Sequence, residues 1–280
     1  MNPVIIRNHP IGGGHPLVVF AGPCVVEGRE ITLRTADAIS RIAGRLKFPL
    51  VFKSSYKKAN RTSGSSFSGL DMEEALSILR EVREKFDLPI VTDIHTEAEA
   101  ATVADVVDVL QIPAFLCRQT DLLRAAGRTG RVVNVKKGQF LAPEDMLHAA
   151  EKIHDTGNMK VLFTERGTTF GYHNLVVDMR GLAIMRGLGC PVILDATHSV
   201  QLPGGDQDGK KSGGQPQFIF PIARAGVAAG IDGLFLEVHP DPPHALSDAA
   251  SQLPLGMLES LLQQVRAIDD AVRASGVQQP

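Results

Sequence analysis

The sequence predicts an α/β fold, a (β/α)8 TIM barrel in which eight parallel strands are each followed by a helix. Three observations support this prediction. Short apolar or β-branched runs alternate eight times with longer helical patterns. The short runs are almost continuously apolar, as expected for a parallel sheet that is covered on both faces. A chain of 280 residues also has the length of one barrel domain of this kind.

The predicted elements alternate along the whole chain. The strands are predicted at residues 17–21, 50–52, 90–92, 109–112, 132–135, 160–164, 192–195 and 233–237. The helices are predicted at residues 31–46, 71–86, 97–106, 120–126, 143–155, 177–186, 221–229 and 256–273. Pro49, Pro89 and Pro191 stand directly before strands, where proline ends the preceding segment. The fourth unit fits the pattern least well, because its helix is short.

Residues 1–280 are predicted to form a single barrel domain. Residues 1–14 form an N-terminal extension that we expect to close the bottom of the barrel. Residues 202–217 are the one long stretch rich in glycine and proline, too polar to pack and too long for an ordinary connection. This loop is either a disordered insertion or a mobile lid, since it follows the seventh strand at the presumed active face.

Composition predicts a soluble cytoplasmic protein with small-molecule partners. The net charge of −2 does not favour nucleic acid or a charged membrane surface as a partner. The first residues contain no apolar signal-peptide core, and no apolar run is as long as a membrane span. Three cysteines make a disulfide framework improbable.

A strongly cationic loop follows the second predicted strand. Residues 52–64 contain three lysines, an arginine, an asparagine and hydroxyl side chains. Such a loop at the end of a strand suits carboxylates and phosphates. A solvated basic loop is the alternative, and this segment alone does not decide between them.

Polar or ligand-type residues follow all eight predicted strands, and this convergence favours the anion-binding interpretation. In this fold, polar residues at the carboxyl ends of strands form the active site. In strand order they are Cys24, Lys53, Asp93 with His95, Gln111, Lys136 with Lys137, Glu165 with Arg166, Asp195 with His198, and Glu237 with His239.

A subset of these residues has the side chains of a metal site. Thiolate, imidazole and carboxylate groups bind divalent cations such as Zn²⁺ or Fe²⁺. The candidate ligands are Cys24, His198, Glu237 and Asp248, which lie on or after strands one, seven and eight. His239 and Asp241 are rival ligands, and Cys24 taken alone fits equally well as a small buried residue.

Nearly the whole chain resembles 3-deoxy-D-manno-octulosonate 8-phosphate (KDO8P) synthase, in the metal-dependent class that carries a cysteine. The matching motifs are Ala21-Gly22-Pro23-Cys24, Lys53-Ser54-Ser55, Lys58-Ala59-Asn60-Arg61, Asp93-Ile94-His95, residues 111–122, residues 134–140, Glu165-Arg166-Gly167, residues 195–199, residues 236–240 and Ala245-Leu246-Ser247-Asp248. The metal-free class has asparagine at the position of Cys24.

The resemblance implies an enzyme that condenses phosphoenolpyruvate with D-arabinose 5-phosphate and water, in lipopolysaccharide (KDO) biosynthesis. The products are the eight-carbon sugar acid phosphate and inorganic phosphate. By resemblance, Lys53 and Lys58 lie at the enolpyruvate carboxylate. Lys136 and Arg166 hold its phosphate.

The same resemblance assigns the sugar and metal subsites. Asn60 and Arg61 serve the sugar phosphate, with Arg118 entering from a neighbouring subunit of a homotetramer. Asp93 and Gln111 position the sugar. Cys24, His198, Glu237 and Asp248 hold a divalent ion, which is zinc, iron or manganese. His198 is counted with Lys53, Lys58, Asp93 and Lys136 among the catalytic residues.

Three alternatives compete with this function. The related synthase for erythrose 4-phosphate (DAHP synthase) typically has Lys-Pro-Arg-Thr-Ser where this chain has residues 58–63, and that difference favours the five-carbon sugar. A Schiff-base aldolase would use Lys53 or Lys136 as its nucleophile. A non-enzymatic sugar-phosphate binder would leave the predicted metal ligands without a purpose.

Overall fold

The computed structural model describes residues 2–59, 67–170, 172–204 and 213–275. Within these ranges the predicted (β/α)8 TIM barrel is confirmed. The barrel strands are β1 (Val18–Gly22), β2 (Leu50–Lys53), β3 (Ile90–Asp93), β4 (Val109–Ile112), β5 (Val132–Lys136), β6 (Val161–Glu165), β7 (Val192–Asp195) and β8 (Gly233–His239). The helices that follow them are α1 (Arg29–Arg45), α2 (Met72–Phe86), α3 (Glu99–Ala104), α4 (Thr120–Arg128), α5 (Met146–His154), α6 (Met179–Gly187), α7 (Ile219–Ala228) and α8 (Leu255–Ala274).

The parallel sheet is closed. Each strand pairs with the next along the chain, and β8 returns to pair with β1, with Gly233 opposite Val18 and Glu237 opposite Gly22. Every residue of the eight strands is buried. The sheet is therefore covered on both faces, which explains why its strands are nearly continuous apolar runs in the sequence.

The boundaries differ from the predicted ones mainly around α3. Helix α4 is short as predicted, with nine residues, but α3 is shorter still, with six. The chain before α3 forms a loop instead of a helical turn. The side chain of Glu99 accepts hydrogen bonds from the backbone N–H groups of His95 at 2.6 Å and Thr96 at 3.2 Å. This local bonding holds residues 95–98 out of the helix.

The barrel strands lie between two apolar layers, one outside and one inside the barrel. The larger one lies between the sheet and the helices and includes Leu79, Leu123 and Leu262. The smaller one fills the inside of the barrel toward the amino ends of the strands, with Val109, Val132 and other inward-facing residues. The polar residues at the carboxyl ends therefore rest on a packed apolar floor.

The N-terminal extension contributes to the inner layer. Val4–Ile6 and His9–Ile11 form an antiparallel hairpin, and the side chains of Val4, Ile6 and Ile11 pack with the residues inside the barrel. At the start of the predicted loop 202–217, Gln201–Leu202 pairs with Gly213–Gly214. Residues 205–212 lie outside the described ranges. Among the described helices, none has the length and apolar character needed to cross a bilayer.

Candidate active site

The carboxyl ends of the strands enclose a cleft of about 730 Å³, part of which is open to solvent. The lining includes eight of the residues singled out in the sequence, and they come from six different strands or the loops that follow them. These eight are Lys53, Lys58, Asp93, His95, Gln111, Lys136, Arg166 and His198. The barrel thus brings together residues that are up to 145 positions apart in the chain.

Three of the four predicted metal ligands form one cluster beside this cleft. The sulfur of Cys24 and one carboxylate oxygen each of Glu237 and Asp248 all lie within 4.8 Å of one another. His198 completes the set, with its Nε2 atom 3.7 Å from Glu237 Oε1 and 3.8 Å from Asp248 Oδ2. The strand order places β1, β7 and β8 side by side, and this adjacency explains the convergence.

The hydrogen bonds around these side chains fit a cation site. His198 Nδ1 lies 2.6 Å from the Asp195 carboxylate, so the lone pair of Nε2 faces the cluster. Glu237 Oε2 is buried and has no hydrogen-bond partner among the described residues. Burial, together with Asp248 and Glu237, raises the pKa of the Cys24 thiol well above its usual value. A bound divalent cation would reverse that effect and satisfy the unpaired carboxylate oxygen.

Cys24 and Asp248 are placed by their surroundings. Ser247 Oγ lies 2.9 Å from the Cys24 sulfur, and Gln252 donates to the backbone oxygen of Ser247 at 2.7 Å. Asp248 itself adopts a left-handed conformation with φ of 48°, which is unusual for a residue with a Cβ. This backbone conformation turns its carboxylate toward Cys24, and the Oδ2 atom lies 3.3 Å from the sulfur.

The rival ligands do not join this cluster. His239 Nδ1 accepts a hydrogen bond from the backbone N–H of Asp241 at 3.0 Å, and its Nε2 faces Glu27 at 3.5 Å. Asp241 makes its side-chain contact with His244 on the surface. Of the alternatives left open by the sequence, the geometry favours the set with His198.

Lys53 and Lys58 lie against the same carboxylate. Lys53 Nζ donates to Glu237 Oε1 at 2.5 Å and to the backbone oxygen of Cys24 at 3.0 Å. Lys58 Nζ is 3.7 Å from Glu237 Oε1. Burial works to lower the pKa of Lys58, but the neighbouring Cys24, Glu237, Asp248 and Asp93 outweigh burial and raise it well above the usual value. Lys58 is therefore a fixed positive charge at neutral pH.

Lys136 and Arg166 form a second cationic pair on β5 and after β6. Lys136 Nζ donates to Asp195 Oδ2 at 2.6 Å and lies 4.2 Å from the centre of the Phe235 ring. Arg166 donates through Nη2 to Gln201 at 2.8 Å, while its buried Nη1 has no partner among the described residues. Burial lowers the pKa of both side chains. An anion bound in this part of the cleft would satisfy the unpaired Nη1 of Arg166.

Asp93 and Gln111 form a polar wall of the same cleft. Asp93 accepts hydrogen bonds from Ser55 Oγ and from Gln111 Nε2. Burial would raise the pKa of Asp93, but Lys53 and Lys58 reverse that effect and hold it well below the usual range. Asp93 is thus a carboxylate that only accepts hydrogen bonds at neutral pH.

Three residues are predicted to bind the sugar phosphate, and the structure describes one of them. Asn60 and Arg61 lie outside the described residues. Arg118 is exposed and does not line the cleft of its own chain, and its backbone oxygen accepts from Lys152 at 3.0 Å. Lys137, predicted at a strand end, is fully buried and donates to Leu141 and Thr168, so it ties loops together.

The site also depends on residues and contacts that sequence reasoning did not identify. Gln139 and Phe115 line the cleft, and the Phe115 side chain is largely exposed. The Asp195 carboxylate contacts both His198 and Lys136 and orients the two side chains. The position of Asp195 at a strand end did not predict these contacts. Gln201 pairs with Arg166 from beyond β7, and only the folded chain reveals this contact.

The chain belongs to the DAHP synthetase I family, whose model matches residues 3–274. Within this family, curated relatives share more than half of their residues with it. One from Syntrophotalea carbinolica, named 2-dehydro-3-deoxyphosphooctonate aldolase, is 56% identical over 264 residues, covering 94% of this chain and 95% of the relative.

Other relatives carry the same name. One from Acidithiobacillus ferrooxidans is 55% identical and covers 92% of each chain, and one from Geobacter sulfurreducens is 53% identical over 96% of this chain and 98% of the relative. These matches confirm the resemblance to KDO8P synthase, and the chain is an enzyme of this kind.

Proposed function

We propose that this enzyme condenses phosphoenolpyruvate with D-arabinose 5-phosphate and water to give 3-deoxy-D-manno-octulosonate 8-phosphate and inorganic phosphate. The name shared by relatives at 53–56% identity supports the eight-carbon product and not the erythrose-based alternative. The observation that carries the proposal is one cleft that holds four cationic side chains next to the Cys24 cluster. Two phosphorylated substrates and one carboxylate need several fixed cations.

Each cationic pair binds one end of phosphoenolpyruvate. Lys136 and Arg166 bind its phosphate, because both line the cleft and Arg166 Nη1 is buried without a partner among the described residues. Lys53 and Lys58 lie at its carboxylate, next to Glu237. The phosphate leaves with cleavage of its bond to carbon, so no side chain needs to accept a phosphoryl group.

The sugar lies toward the polar wall. Asp93 and Gln111 orient its hydroxyl groups, since the carboxylate accepts and the amide both donates and accepts. Asn60 and Arg61 bind its phosphate, and Arg118 of a neighbouring subunit contributes from across a homotetramer interface. Exposure of Arg118 outside its own cleft agrees with that assignment. A cytoplasmic location stays a prediction.

Cys24, His198, Glu237 and Asp248 would hold a divalent ion such as Zn²⁺, Fe²⁺ or Mn²⁺. A bound ion supplies Lewis-acid polarisation of the aldehyde carbonyl. Asp195 fixes the ring of His198 so that Nε2 faces the other ligands. A sulfur ligand disfavours Mg²⁺ relative to these softer metals.

A Schiff-base aldolase is the alternative from another mechanistic class. Burial lowers the pKa of Lys136, which would assist an amine nucleophile. Lys136 and Lys53 each donate a hydrogen bond to a buried carboxylate, however, so both nitrogens already have a partner. Borohydride added during turnover would trap a covalent lysine adduct in an aldolase, and we expect none here.

Phosphate release tests the proposal. Phosphoenolpyruvate with D-arabinose 5-phosphate should yield one inorganic phosphate for each eight-carbon product, and phosphoenolpyruvate alone should yield none. Chelation should stop the reaction, and Zn²⁺ or Mn²⁺ should restore it. No phosphate release with the pentose phosphate at any metal content would reject the function.

A further inference from the structure

Five buried polar side chains on neighbouring strands form one continuous hydrogen-bonded chain. They are Ser55 just beyond β2, Asp93 on β3, Gln111 on β4, Asn134 on β5 and Thr164 on β6. Asp93, Gln111 and Asn134 are direct register partners across the sheet. The five therefore form a polar row that runs around more than half of the barrel.

Each hydrogen bond in this row has one direction. Thr164 Oγ1 donates to Asn134 Oδ1 at 2.7 Å, and Asn134 Nδ2 donates to Gln111 Oε1 at 3.0 Å. Gln111 Nε2 then donates to Asp93, which also accepts from Ser55. A carboxylate cannot donate, so reversal of the Gln111 amide would bring two acceptors together.

The two ends of the row lie in different surroundings. Asp93 and Gln111 line the cleft, whereas Asn134 and Thr164 are fully buried and do not touch it. Asn134 therefore acts on the cleft only through the orientation of Gln111. Thr164 acts through Asn134 in the same way.

Stability alone does not account for this polar row. The inward-facing positions closer to the bottom of the barrel are apolar and include Val91, Val109, Val132 and Leu162. Polar groups at this depth cost free energy to desolvate, and their hydrogen bonds return only part of it. A row made of apolar side chains would pack at least as well.

We propose that Asn134 and Thr164 are positioning residues that hold the Gln111 amide and the Asp93 carboxylate in a fixed orientation toward the hydroxyl groups of the sugar phosphate. This inference rests on the proposed function, since it concerns the sugar subsite of the same cleft. Without the row, the Gln111 amide could rotate and present the wrong group to a hydroxyl. Among the described residues, the side chains of Lys136 and Arg166 bond to Asp195, His198 and Gln201, and none of these belongs to the row.

Two substitutions test this proposal by their selectivity for one substrate. Thr164→Val keeps the side-chain shape but removes the donor to Asn134. Asn134→Ala removes the donor to Gln111. Each should raise the KM for arabinose 5-phosphate about fivefold or more, the usual effect of one lost buried hydrogen bond. The KM for phosphoenolpyruvate should stay within about twofold.

Thr164→Ser is the matched control, because it retains the hydroxyl and should return the sugar KM toward the wild-type value. Thermal unfolding would identify any variant that has lost its fold, and the other variant would then provide the test. An unchanged sugar KM in the folded variants, or an equal rise in both KM values, would overturn the positioning role. A wild-type enzyme that does not use arabinose 5-phosphate would instead reject the proposed function.

Discussion

At the scale of single residues, substitution of Arg166 tests the proposed phosphate subsite. One nitrogen of its guanidinium group, Nη2, is paired with Gln201, whereas Nη1 is buried without a partner among the described residues, in a side chain that lines the cleft. Arg166→Lys keeps the positive charge but loses the planar fork, and kcat/KM should fall about 10-fold or more. Arg180→Lys is the control, because this exposed side chain pairs with Asp178 at the surface and does not line the cleft. An unchanged rate for Arg166→Lys would show that the guanidinium does not touch the phosphate.

Cys24 is the ligand that distinguishes the proposed metal site from an acidic cluster. Cys24→Ser exchanges a soft ligand for a hard one, so affinity for Zn²⁺ should fall at least about 10-fold. Elemental analysis after dialysis against a graded chelator series measures this directly. Cys190→Ser should retain metal like the wild type, because that buried cysteine lies outside the cluster. Equal metal retention in both variants would contradict a thiolate ligand.

Sequence reasoning found the site residues more readily than their partners. Cys24, Lys53, Asp93 and Glu237 could be named because each lies at or near the carboxyl end of a predicted strand, and these ends converge in this fold. The bond from Asp195 to His198 could not be deduced, because side-chain contacts depend on rotamers and not on spacing. The pairing of Arg166 with Gln201 depends on the course of the loop after β7, which sequence patterns do not predict.

At the scale of elements, Gly22 at the end of β1 controls how closely β1 approaches β2. A Cβ atom there would come within 2.0 Å of the backbone oxygen of Lys53. Gly22→Ala should therefore force the strands apart and lower the melting temperature by several degrees, as overpacking of about 1–3 kcal/mol would do.

Gly44 in α1 is the matched comparison for that substitution. A Cβ atom at Gly44 would meet nothing within 4 Å, so Gly44→Ala should raise stability by about 0.5–1 kcal/mol. Calorimetric unfolding of both variants measures the contrast. Equal effects of the two substitutions would show that close approach of β1 and β2 is not required.

The strands were predicted more accurately than the helix ends. Their apolar runs are uninterrupted because both faces are buried, so β4 and β7 have the predicted limits. Helix α3 is shorter than predicted because Glu99 bonds to the backbone of the preceding loop. Such local competition between side chain and backbone leaves little trace in hydrophobic periodicity.

At the scale of the whole molecule, the barrel gathers buried charges whose ionisation is linked to folding. The pKa of Asp93 is lowered in the folded chain, so its contribution to stability is fully present above the unfolded pKa of about 4. That contribution is lost as the pH falls below this value. The difference in melting temperature between the wild type and Asp93→Asn should therefore begin to narrow below about pH 5 and continue to narrow as the pH falls toward the lowered folded-state pKa. A difference that is constant with pH would mean that Asp93 is not a stabilised carboxylate.

Closure of the barrel brings the Cys24 cluster, the two cationic pairs and the polar wall together around one cleft. The central claim is that in this cleft the enzyme condenses phosphoenolpyruvate with a five-carbon sugar phosphate. The most direct test offers arabinose 5-phosphate and erythrose 4-phosphate together, at equal concentration and with limiting enzyme, and measures the two sugar acid products by mass spectrometry. We expect the eight-carbon product to predominate by about 10-fold or more, because several hydrogen bonds and charges select the longer sugar. A predominance of the seven-carbon product would contradict the account.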